Sequence, residues 1–175
     1  SRTIAAQDLG RDVAQRTAAF VGLGPAHRAR ERALGAVRQP DVAHGRRQLD
    51  EAFELALQLR AMHPDQPAAL TNLAHIGQAL GKPLQESIRL HREALALAPD
   101  YLFARCALAR HLAGEGQLDE ARALLEGLFE RKQWHFSEYR SYLLAQRAMA
   151  LAQGEHQAMR ALDETLLDVE RRFGA

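Results

Sequence analysis

Eight histidines, one cysteine and 22 carboxylates are the side chains of this 175-residue chain best suited to metal or covalent chemistry. The histidines are His27, His44, His63, His75, His91, His111, His135 and His156, and no two stand three or four apart. A helix-borne metal pair needs that spacing, so these read as surface, turn or packing histidines and no metal is expected. Cys106 stands alone, which excludes an internal disulfide or a cysteine-based zinc site. A thiol nucleophile also needs a base, and no such signature flanks it; a small residue packed on a helix is the expected role. Gly22-Leu23-Gly24 lacks the third glycine and the preceding strand of a dinucleotide fingerprint, so it reads as a helix break. His27, Arg28, Arg30 and Arg32, with Arg46 and Arg47, form the main basic region. Without stacking aromatics nearby it suits a solvated helix face better than a nucleic-acid surface. Catalytic residues and cofactors are therefore not expected, and the side chains must act by binding.

The elements that could position them are helical. Ala and Leu fill 60 positions, whereas Val, Ile and Thr together fill 12. Good helix formers thus dominate, and a β-sandwich is excluded. With 47% apolar and 26% charged residues the chain is too apolar for a disordered tail and ordinary for one globular domain. No apolar run approaches the ~20 residues of a membrane-spanning helix. The expected location is the cytoplasm, with the periplasm left open because residue 1 is Ser and a leader or neighbouring domain could precede it. Net charge is +1, but residues 1–47 carry an excess of five positive charges and the remainder an excess of four negative ones. This polarity steers partners only weakly. Twenty-one Arg against two Lys, spread over every helix, suits a GC-rich coding genome and is no argument for nucleic acid.

Internal repetition organises the chain. Leu73-Ala74 recurs as Leu108-Ala109, Gly81 as Gly116, and Ser87 as Ala121, at offsets of 35, 35 and 34. Upstream, Leu49-Asp50-Glu51-Ala52 matches Leu118-Asp119-Glu120-Ala121, and His63-Pro64-Asp65 matches Ala98-Pro99-Asp100. Leu beside a small Ala lets a second helix approach closely, and the small residue at 52, 87 or 121 receives the first helix in return. Gly81 or Gly116 ends the first helix, and Pro64 or Pro99 stops the second. Leu144-Ala145 and Gly154 continue the series in a divergent pair. Met159, Leu162, Leu166, Val169 and Phe173 form one apolar stripe, as on a polar-backed closing helix.

With its Leu-small pair, turn Gly, acidic-acidic-Ala and closing Pro, the chain resembles the tetratricopeptide repeat family, whose helix-turn-helix units are 34 residues long. The resemblance implies an all-α, right-handed α-solenoid of about three helical hairpins with N-terminal and C-terminal capping helices. The expected segments are an N-terminal helix at 1–25, a divergent first repeat at 26–66 and repeats at 67–100 and 101–135. A divergent pair with the capping helix follows at 136–175. Within the first repeat a helix over 26–37 and an irregular connection at Gln39-Pro40-Asp41 are expected, because Pro40 interrupts the register. Leu70 and Arg105 stand where the family usually has large aromatics, and the Lys82-Pro83 turn carries one extra residue, so looser packing between helices is expected.

In that family the first helices of successive repeats line a concave surface that holds a peptide or protein segment. By register those positions are Thr71, Asn72, His75 and Gln78, then Phe103, Cys106 and Arg110, then Tyr139, Tyr142 and Gln146. The set lacks carboxylates and suits a neutral to acidic segment. Arg110 can take a carboxylate with two prongs, and Asn72 can bracket a peptide backbone. The lysines with which some members grip a free C-terminus are missing, so that mode is not expected. Trp134-His135-Phe136-Ser137-Glu138-Tyr139 is the one aromatic concentration. Ser137 reads as a helix N-cap, and Trp134 and Phe136 as a seal between repeats rather than as ligand anchors. The resulting expectation is a non-catalytic interaction module, an adaptor, chaperone or assembly factor. The alternatives are the regulatory or recruiting part of a larger enzyme, and self-association through an end helix.

Overall fold

A computed structural model describes residues 42–173 of the chain. The expected helices at 1–25 and 26–37, the connection at 39–41 and the basic residues His27, Arg28, Arg30 and Arg32 lie outside the described residues. Within them there are seven α-helices and no strand: α1 Val42–Met62, α2 Pro67–Ala79, α3 Leu84–Leu97, α4 Leu102–Gly114, α5 Leu118–Leu125, α6 Phe136–Ala152 and α7 His156–Phe173. One 3-10 turn, Leu128–Glu130, follows α5. The helices form two compact units, which divide between Pro99 and Asp100.

In the unit that ends at Pro99, α2 packs against both α1 and α3. The small residues do what their spacing predicts. Ala52 and Ala94 have no exposed surface, Leu73 and Ala74 are buried, and the Ser87 hydroxyl donates to the Ala74 carbonyl at 3.1 Å. That bond satisfies the one polar atom the close approach would otherwise strand. Gly81 turns the chain after α2 with φ +77°, a left-handed conformation that a Cβ would strain. The extra residue of the turn is not slack, because the Lys82 ammonium lies 4.4 Å from the centre of the Phe53 ring and ties the turn to α1. Arg60 reaches Glu93 at 3.3 Å, joining α1 to α3. α1 ends at Met62 and α3 at Leu97, each two residues before the expected proline stop.

In the unit that begins at Asp100, α4 packs against α5 and α6, and α6 against α7. Ala104, Ala109, Ala121 and Ala145 are all fully buried at these crossings. Gly116 repeats the left-handed turn at φ +79°. Here the expectation of loose packing at Arg105 is corrected. Its Nε donates to the Leu124 carbonyl at 2.7 Å and its Nη2 to the Glu126 carbonyl at 2.8 Å. A cation thus caps the orphaned carbonyls at the C-terminus of the eight-residue α5, where the helix dipole favours positive charge. The start of α6 is a second correction. His135, not Ser137, occupies the N-cap, and the Glu138 carboxylate accepts the His135 backbone N–H at 3.2 Å. An acid three residues after the cap returns this bond, which moves the boundary two residues upstream. α7 closes the unit: Leu166 and Val169 join Leu143 in a buried cluster, with Phe136, Tyr139, Leu144 and Leu162 packed around it. The polar side of α7 is tied to α6 by the Arg147–Asp163 pair and by Arg140–Glu170 at 3.0 Å.

Candidate functional site

The widest run of expected ligand-facing residues within one unit lies on α4 and α6. Both helices start at the same end, because one cleft of about 500 Å³ collects Leu102 and Phe103 from the start of α4 and Glu138 from the start of α6. Asp100, Tyr101, Arg105, Glu126, Gly127, Leu128 and Arg131 complete its wall. Phe103, Arg110, Tyr139, Tyr142 and Gln146 are all half-buried, so each keeps part of its surface accessible. Cys106 is buried at 2% exposure and lies behind this face. Burial pushes its thiol up to about 12, against the pull of the Arg105, Arg110 and Arg131 charges. It is a packing residue and not a ligand contact.

Trp134 extends the face beyond the residues read from the register. Its ring lies 5.5 Å from that of Tyr139 and 5.0 Å from that of Tyr142, and its indole N–H donates to the Arg131 carbonyl at 3.1 Å. The Arg131 guanidinium covers the ring at 5.1 Å and pairs with Glu138 at 3.4 Å. The two aromatics expected to act as one seal therefore part company. Phe136 packs into the α6–α7 cluster, whereas Trp134 builds an aromatic shelf with the two tyrosines. The aromatic concentration in the sequence signalled this shelf, but nothing in the spacing showed which ring would turn which way.

Polar chemistry on the face centres on Arg110. Burial, then the neighbouring charge of Arg140, push its pKa down, which means that the fold holds this cation where charge is disfavoured. Arg105, Arg131, Arg140 and Arg147 each have a carbonyl or carboxylate partner. Arg110 has none among the described residues. On α6, burial pushes the Tyr142 hydroxyl up and a hydrogen bond with Gln146 partly holds it back.

The other expected positions lie on α2, in the unit that ends at Pro99. Asn72, His75 and Gln78 are half-buried, and the His75 ring lies 5.3 Å from that of the fully buried His91. Thr71 is corrected to an interior position at 2% exposure, because its side chain turns into the packed helices where Asn72, one residue on, does not. No group of three or more His, Cys, Asp or Glu among the described residues is placed to hold a metal ion.

Paired helices, small residues at every crossing and left-handed glycine turns define an all-α helical-repeat protein. Residues 84–147, from α3 into α6, match the family model of the tetratricopeptide repeat, which supports a tetratricopeptide repeat protein. Comparison with curated proteins and with solved structures gave no match. No helix among the described residues is long and apolar enough to cross a membrane.

Proposed function

We propose that the protein is a non-catalytic interaction module, an adaptor, chaperone or assembly factor, that holds a segment of another protein on the α4–α6 face. The observation that carries this reading is the combination, on one surface, of a half-buried aromatic shelf with an arginine that has no partner among the described residues. Rings of Trp and Tyr with part of their surface accessible lose little conformational freedom on binding and are frequent interface anchors. Glu138, the one carboxylate on α4 or α6, is held by Arg131 and by the His135 backbone, while Asp100 and Glu126 line the cleft at the start of α4. A neutral to acidic segment fits it best. Asn72, His75 and Gln78 on α2 offer a second polar set to the same kind of partner.

The test is affinity capture with quantitative mass spectrometry, comparing the full chain with Arg110→Ala and Tyr142→Ala. Partners held by the wild type should fall at least tenfold in both variants while helicity and melting stay unchanged. Capture that persists undiminished in both well-folded variants would place the binding surface elsewhere.

A further inference from the structure

The half-buried, unpaired Arg110 has a chemical demand that the rest of the face lets us specify. A guanidinium has five N–H donors and no way to shed its charge at ordinary pH, so partial burial without an anion leaves the charge balanced by solvent alone. The charge that acts on it most is that of a second cation, Arg140, whose Nε is already given to Glu170 on α7. Local charge therefore calls for an anion rather than a hydroxyl or amide. Around Arg110 the face offers Gln146, occupied with Tyr142, and no lysine or asparagine on α4 or α6. The lysines with which some tetratricopeptide repeats grip a free chain terminus are missing, and one planar fork serves a single side-chain carboxylate.

Distance along the helix then fixes what accompanies the acid. Phe103 and Arg110 are seven residues apart on α4, and Tyr139 and Gln146 seven apart on α6. At about 1.5 Å per residue the aromatic end lies ~10 Å from the arginine end. In an extended chain, at about 3.3 Å per residue, that span corresponds to three residues.

We infer that the α4–α6 face recognises an internal acidic segment of a partner protein, seating one Asp or Glu side chain on Arg110. A large apolar side chain three residues away rests at the Tyr139 end of the shelf that Trp134, Tyr139 and Tyr142 form. This rests on the proposed use of the face and adds the chemistry of the occupant. Two features make it specific: the carboxylate neutralises a cation that has no anionic partner among the described residues, and a large apolar side chain covers rings that these residues leave half open.

Random dodecapeptides displayed with a free N-terminus and no free C-terminus, selected on the full chain, test it. Trp134 is the only tryptophan, so its emission reports occupancy of the shelf directly. Enriched peptides should share an acid with an aromatic or large aliphatic residue three positions away, and should change Trp134 emission. For a synthetic enriched peptide, replacing the acid by its amide should weaken binding to the wild type at least tenfold, but less than threefold to Arg110→Gln. The conservative Arg110→Lys should recover part of the loss, since it keeps the charge without the fork. Peptides that change Trp134 emission but whose acid can be replaced without loss would overturn the acidic-segment inference and leave the binding face standing. Selected peptides that bind without any change in Trp134 emission would overturn the use of this face as well.

Discussion

His111 is 6% exposed beside Arg110, and burial, then the Arg110 charge, lower its pKa to about 4 from an ordinary 6.5. The folded chain holds this imidazole neutral while the unfolded chain protonates it near pH 6.5. Its contribution to stability is therefore complete above pH 6.5 and is lost as the pH falls toward 4, a difference of about 3 kcal/mol at most. Unfolding by urea at a series of pH values should show the wild type losing stability more steeply between pH 7 and 4 than His111→Asn. Equal slopes would mean that the ring is solvated in the folded state. Arg110 next door gives the complementary lesson. Its residue type and register position were visible in the sequence, but the absence of a partner was not, because pairing depends on where Glu138 and Glu170 find other cations.

At the level of helices, features fixed by a few neighbouring residues were readable in advance. Gly81 and Gly116 turn the chain because only glycine takes the left-handed conformation freely, and Pro64 and Pro99 stop α1 and α3 because proline cannot continue a helix. Features that depend on a distant partner were not. Arg105 looked like a poor substitute for an aromatic residue, yet it finds two carbonyls 19 and 21 residues away. Likewise, the shift of the α6 cap from Ser137 to His135 follows from Glu138 reaching back, a competition between two good local solutions. Arg105→Ala removes both bonds and uncaps α5, so denaturant unfolding should show a loss of about 1–3 kcal/mol. Arg105→Lys, which keeps the charge but not the fork, should lie between the two. An alanine variant as stable as the wild type would show that solvent serves those carbonyls equally well.

At the largest scale, a helix that closes a packed unit needs one apolar and one polar side. α7 has that form: Leu166 and Val169 are buried against α6, while Asp163 and Glu170 pair with Arg147 and Arg140. A chain ending at Gly154 would lose both buried side chains, at about 1.5–3 kcal/mol each, and would uncover Leu143 and Phe136. Its circular dichroism melt should begin at a lower temperature, and size-exclusion chromatography should show association. An unchanged melt and a clean monomer would show that the unit does not need α7. Cys106, behind the α4–α6 face, has a practical consequence at the same scale. With its only native thiol shielded and protonated, the folded protein leaves maleimide reagents little to attack. One cysteine engineered onto an outer helix could therefore carry a dye or a spin label at a chosen position, without first deleting the native one.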